Sequence, residues 1–187
     1  TTSFVEQEND RTHLLVNPDF EIDKNGNQLK PGTLNRGTPY GWTQKGSLKG
    51  NSYGTNQDAI NFHGEHLCWY ASDPMPADFE LSQTVKGLPA GEYVVRCRLG
   101  TPVTLITTQR LFANDKVMYY GKESDYSANL TSGESNLFAG YTPGAESRPG
   151  TMMELREMAL KVTISPGEDL KLGIRTSNQL SDGSSDG

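Results

Sequence analysis

"FELSQTVKGLPAGEYVVRCRLG", residues 79–100, is the stretch whose reading decides the fold. Phe79, Leu81, Gln83 and Val85 alternate with their neighbours, and after the turn KGLPAGE the residues Tyr93, Val95, Cys97 and Leu99 alternate again. Side chains of an extended chain point to opposite sides in succession, so each set lines one face of a strand. The Pro-Ala-Gly centre marks an antiparallel connection between the two. Gln83 stands on an inward face, where alternation gives no reason for an amide.

Working outward, the pattern repeats near the end of the chain. Met158, Leu160, Val162 and Ile164 alternate, SPGED turns the chain, and Leu170, Leu172 and Ile174 alternate once more. Between these pairs RLFANDKVMYYG reads as two short strands around an Asn-Asp turn. The segment TMMELRE (151–157) reads as a single helical turn before the next strand. Nearly thirty residues rich in Gly, Ser, Asn and Pro, from Gly121 to Gly150, form a loop long enough to expect a function of it. No internal repeat and no second domain is visible. Residues 1–12 are expected to be a disordered lead-in, 13–176 the domain, and 177–187 (SNQLSDGSSDG) a flexible polar tail. The start, TTSFVEQEND, has neither Met nor an apolar signal core and reads as processed or engineered, which leaves export open.

Composition agrees with strands and loops. The 187 residues suffice for one domain with a real core, only 34% are apolar, and 20 Gly and 10 Pro favour an all-β fold over a helical one. Short antiparallel strands need a facing layer to cover their apolar sides, so an antiparallel β-sandwich is expected. A net charge of −6 with scattered Lys and Arg argues against nucleic acid as partner. No apolar run is long enough to insert in a membrane. Cys68 and Cys97 lack metal-ligand spacing; a buried thiol pair and a disulfide both fit them.

Catalytic signatures are missing: there is no G-x-S-x-G, no H-E-x-x-H and no phosphate loop. His63 and His66 in HGEH sit beside a strand-like run, where a spacing of three sends the rings to opposite faces. The stretch from Asp23, DKNGNQLKPGTL, opens like a calcium loop but has Gln28 at the sixth position and Leu34 at the twelfth, and a polar hairpin turn accounts for it better. Glu154 and Glu157 flank Arg156 as a solvated face. With 23 acids in the chain, a carboxylate pair suited to glycoside hydrolysis is too easily found to carry weight.

Aromatics say more. Tyr40 and Trp42 lie in TPYGWT, Tyr53 in NSYGTNQD with Asn56, Trp69 and Tyr70 in HLCWYAS, and Tyr126, Phe138 and Tyr141 in the long loop. Sugar rings pack their C–H patches on aromatic faces while their hydroxyls seek amides, carboxylates and guanidinium groups, and Tyr and Trp serve both needs. The competing reading makes Trp42 and Trp69 core residues. Trp69 and Tyr70 are adjacent on a strand-like run, so one should face inward and the other outward.

LLVNPDFE (14–21), a GW some twenty residues on, FELSQTVKGLPAGEYVV and LKVTISPGEDLKLGI together resemble the galactose-binding-domain-like jelly rolls. Among these are carbohydrate-binding modules attached to secreted glycoside hydrolases of bacteria, with polysaccharide-degrading proteins of gut Bacteroidetes especially similar. The resemblance spans residues 13–176, and LSQTVKGLPAGEY is its most specific piece. It implies a jelly roll, a polysaccharide or oligosaccharide partner, further domains of a larger chain, and a secreted, periplasmic or cell-surface location. It also implies a structural Ca²⁺ at Asp19 and Glu21, whose oxygens suit that ion; alternation would turn both acids one way and Phe20 into the core. The other reading, Glu21 accepting backbone N–H bonds with no ion, stays open. Such domains close on a strand of the W-x-x-V-D-x-F kind that often helps bind the ion; none is present by Gly187, and a closing strand lying beyond the chain would leave the ion site incomplete.

Two classes of function follow. One is a non-catalytic carbohydrate-binding module whose sugar contacts come from Trp69, Tyr70, Tyr53, Asn56, Tyr126 and Tyr141. The other is an interaction or adhesion domain of a larger surface protein, with the aromatics in its core. The sequence leaves open whether a sugar would sit at the loop tips or on a sheet face.

Overall fold

A computed structural model describes residues 10–30, 35–46, 61–62, 67–68, 79–102, 109–120 and 153–176. Within them the chain is all-β apart from one 3-10 turn, Thr12–Leu14. The strands are β1 (Asn35–Arg36), β2 (Thr43–Lys45), β3 (Asn61–Phe62), β4 (Leu67–Cys68), β5 (Phe79–Val85), β6 (Gly91–Pro102), β7 (Gln109–Ala113), β8 (Lys116–Tyr119), β9 (Met153–Ile164) and β10 (Leu170–Thr176). They form a five-stranded sheet in the order β2-β5-β10-β7-β8, a two-stranded sheet β6-β9, and a small sheet β1-β3-β4, all antiparallel.

The two stretches that alternate in the sequence are not hairpins. β5 pairs with β2 and β10, whereas β6 pairs with β9 along its whole length, from Gly91 opposite Ile164 to Pro102 opposite Met153. Both the 86–90 and the 165–169 connections therefore step from one sheet to the other. Two such arches lie side by side, β5 beside β10 in one layer and β6 beside β9 in the other. Each connection spans five residues, enough to cross the roughly 10 Å between packed sheets. Leu88, 6% exposed, drops from the first arch into the core, and Tyr93 closes the arch by donating its hydroxyl to Pro89 O at 2.8 Å.

The core is what the alternation predicts. Val85, Leu170, Leu172, Leu111, Ala113, Met118 and Tyr120 face Val95, Met158, Leu160, Val162 and Ile164, all buried in one cluster, with Tyr93, Cys97 and Leu99 packed at its margin. Cys97 is a free thiol, and burial, with the charge of Glu157 nearby, pushes it up to about 12. A thiol held protonated in this way is inert. The helical turn expected at 151–157 is overturned: from Met153 the chain is already strand β9. Met, Glu, Leu and Arg favour helix locally, but a twelve-residue ladder with β6 outweighs that preference. Glu157 is not simply solvated, as it meets Arg96 at 3.6 Å.

β7 and β8 form a hairpin, turning at Asn114 with φ 51°. Asn114 also ties this hairpin to the second arch. Its Nδ2 donates to Glu168 Oε1 and Asp169 O, both at 3.1 Å, and its Oδ1 accepts from Lys171 N at 2.8 Å.

The N-terminal segment is held by side chains rather than by a ladder. Gln83 reaches inward, accepts from Val16 N at 2.7 Å and donates to Val16 O at 2.9 Å, so one amide stands in for a strand partner. That is why a polar residue occupies this inward position. Asn17, at φ 55° and 6% exposed, then organises the corner. Its amide donates to Ile22 O at 2.9 Å and Tyr40 O at 3.2 Å and accepts from Ile22 N at 2.9 Å, while Asn17 O receives Trp42 Nε1 at 3.0 Å. Replacing Asn17 with Ala strands three backbone groups and places a Cβ residue without an amide at positive φ. We expect a loss of about 1.5 kcal/mol in urea unfolding, with a red shift of Trp42 emission. A loss under about 0.5 kcal/mol would show that water replaces the amide without cost.

Candidate functional site

The outward face of the five-stranded sheet is where charged side chains gather. Register fixes which residues share it. One line crosses all five strands: Lys45 opposite Glu80, Glu80 opposite Arg175, Arg175 opposite Arg110, and Arg110 opposite Tyr119. The next line runs Thr43, Ser82, Gly173, Phe112 and Val117. Thr84 and Lys171 form the start of a third. Ser82, Gly173 and Phe112 are buried on this side, so the accessible groups are the charged side chains around them.

Glu80 is the anchor of this face. Its side chain is 7% exposed; Oε1 meets Lys171 Nζ at 2.6 Å and Oε2 accepts from Arg175 Nε at 2.8 Å. Burial works to raise this carboxyl, but hydrogen bonds from Lys171, Arg175 and Ser82, together with the charge of Lys171, hold it at about 2. Glu80 is therefore a fixed anion. Arg175 also lies flat over Phe112, with its guanidinium carbon 3.7 Å from the ring centroid, and Lys171 Nζ is 5.9 Å from the same centroid. Phe112 is fully buried although it belongs to the outward side of the sheet. Cation–π contact and the ion pair together leave Arg175 little freedom. Arg110, half-buried, has no ion-pair or hydrogen-bond partner among the described residues.

No family model, curated protein or solved structure matches the chain. The chemistry of the face is then the guide to its use. It offers cationic side chains on four positions and hydroxyls at Thr43 and Thr84, while Glu80 and Ser82 are buried beneath them. All stand on paired strands rather than on loops.

The residues expected to contact sugar, Trp69, Tyr70, Tyr53, Asn56, Tyr126 and Tyr141, lie outside the described residues, as do His63, His66, Phe138 and the stretch from Gly121 to Gly150. Of the other aromatics, Trp42 packs against the core cluster and stacks on Phe20, with centroids 5.4 Å apart and planes tilted 42°. Tyr40 is 48% exposed, and its ring stands 3.5 Å from where a Cβ on Gly26 would be.

Around Asp19 and Glu21 the expectation needs correction. Phe20 sits at φ 55°, so 19–21 is not a strand and its alternation does not apply. Phe20 stacks on Trp42 instead of entering the sandwich. Asp19 and Glu21 are exposed, and Glu21 Oε2 accepts from Gln28 Nε2 at 3.2 Å. Glu21 O also receives Leu29 N at 2.8 Å. No cluster of three or more His, Cys, Asp or Glu suited to a metal occurs among the described residues. Two exposed acids supply part of the six to eight oxygens that Ca²⁺ takes. The neighbouring Asp23 stretch is the polar turn expected: Asp23 Oδ1 accepts from the backbone of Asn25 and Asn27 at 2.8 and 2.9 Å, and Ile22 bridges Gln28.

Sequence reasoning missed Glu80, Arg110, Phe112, Lys171 and Arg175 as a group. The alternation that placed Leu81 and Leu172 inward also placed Glu80 and Lys171 outward. What was missing was the pairing of β10 with β5 and β7, which is not local.

Proposed function

We propose that this chain is a non-catalytic carbohydrate-binding domain, built as a jelly roll and belonging to a secreted or cell-surface protein. The observation that carries the reading is the line Lys45, Glu80, Arg175, Arg110 and Tyr119 across the five-stranded sheet. Saccharide oxygens accept from guanidinium and ammonium groups, and this line presents Lys45, Arg110 and Arg175 at strand spacing, with Arg175 held by Glu80 and Phe112 and Tyr119 at the end of the line. Groups held on strands by ion pairs and ring stacking lose little entropy when a ligand arrives. A glycosidase general acid needs its pKa raised, and Glu80, held at about 2, does not fit that role. Calcium at Asp19 and Glu21 belongs to the proposal as a structural ion only.

A glycan-array screen in calcium and again in EDTA tests this. Selective binding is expected, weakened about tenfold by Tyr119→Ala if the sheet face is the site, and by Trp69→Ala if the loops contribute. Loss in EDTA would bring in the Asp19 and Glu21 corner. Silence across plant, host and microbial glycans from a folded chain would refute the reading and favour an interaction domain.

A further inference from the structure

We propose that the outward face of the five-stranded sheet selects an acidic saccharide, one bearing carboxylate or sulfate groups, with Arg110 as its principal anion contact. This rests on the carbohydrate-binding reading and names the ligand class. The chain as a whole carries −6, yet among the described residues this face holds Lys45, Arg110, Lys171 and Arg175 against Glu80. Glu80 is already committed to both Lys171 and Arg175. Arg110 stands directly opposite Arg175 in the β7–β10 register, a like-charge pair of the kind that destabilises a sheet unless an anion lies across it. Arg175 is fixed over Phe112, so its remaining guanidinium edge is held in place. Two arginines at directly opposed positions, with Lys45 farther along the same line, suit the planar carboxylate of a uronate or a sulfate ester. A neutral sugar gains nothing from that excess of charge.

The test is isothermal titration with three probes: oligogalacturonate, a sulfated galactan and a neutral galactan, at low and at physiological ionic strength. At least one acidic probe should bind about tenfold more tightly than the neutral one, and should weaken with salt. Arg110→Gln should lower that affinity about tenfold, and Lys45→Gln on the exposed edge strand should lower it as well. Lys161→Gln, which removes the same charge from the outer side of β9, should leave it unchanged. Preference for oligogalacturonate over the sulfated probe assigns carboxylate, and the reverse assigns sulfate. Equal or tighter binding of the neutral galactan would overturn the inference while leaving the carbohydrate reading intact. So would an equal effect of Lys161→Gln and Arg110→Gln, or tighter binding of poly-uridylate than of either acidic glycan. No binding to any glycan would end both.

Discussion

Gly173→Ala is expected to cost about 4 kcal/mol and to lower the melting temperature by about 12 °C. Gly173 lies in β10, the central strand of the five-stranded sheet, hydrogen-bonded on both sides. A Cβ there would run into the carbonyl oxygen of Leu81 and stand 2.8 Å from Ser82 Cα. Both obstacles are backbone of β5, so no side chain can rotate away. Relief requires β10 to move from β5, which loosens the ladder from Leu170 opposite Val85 to Thr176 opposite Phe79. Gly91→Ala is the control. Gly91 has the same φ of 158°, so whatever that backbone conformation costs an L-residue is common to both, but a Cβ there meets nothing within 4 Å. Its substitution should cost about 1 kcal/mol or less. Equal losses at the two glycines would mean that conformation rather than close approach governs Gly173. A melting temperature within about 2 °C of the unsubstituted protein would mean that the sheet opens without cost.

The same two strands show how far the sequence could be read. Strands with one apolar face announce themselves, and β5, β6, the second half of β9 and β10 fell where alternation put them. The Asn114 turn was equally plain, since Asn tolerates the left-handed conformation that a tight hairpin needs. Pairing was not plain. Arches and hairpins have similar turn residues, and only the burial of both apolar faces against each other decides for the arch. The apolar run HLLV (13–16) forms no strand, because Thr12–Leu14 turn and Val16 is bonded by the Gln83 side chain instead of a neighbouring backbone. The isolated inward amide was the signal: a polar group in a core must find a partner, and here it found the N-terminal segment. The charged face was hidden for the opposite reason. Outward charges look alike whether they dissolve singly in water or converge, and convergence at Glu80 depends on contacts across 91 to 95 residues of chain.

Glu80→Gln should destabilise the fold by about 2.5 kcal/mol at neutral pH, and the loss should disappear as the solution is acidified. Gln has the shape of the protonated carboxyl, so the variant isolates the charge. The carboxyl moves from 4.5 unfolded to about 2 folded, which corresponds to about 3.4 kcal/mol. Lys171 is 48% exposed, and water screening there trims the expected value. A depressed folded pKa stabilises above the unfolded value and is lost as pH falls through the folded one. The difference between the two proteins should therefore be full above about pH 5, shrink below 4.5, and nearly vanish at about pH 2. Asp10 and Asp23 also have lowered values, from hydrogen bonds with Thr12 and with the Asn27 backbone respectively. Their titration is common to both proteins and cancels in the difference. Urea unfolding across this range measures it, and a difference that stays constant down to pH 2 would show that Glu80 contributes packing rather than charge. The variant also bears on binding. With the carboxylate gone, Lys171 and Arg175 lose their fixed partner, so the face gains positive charge and loses order. An acidic saccharide should then associate with a steeper dependence on salt, while its affinity at physiological ionic strength falls, because Arg175 no longer arrives already positioned over Phe112.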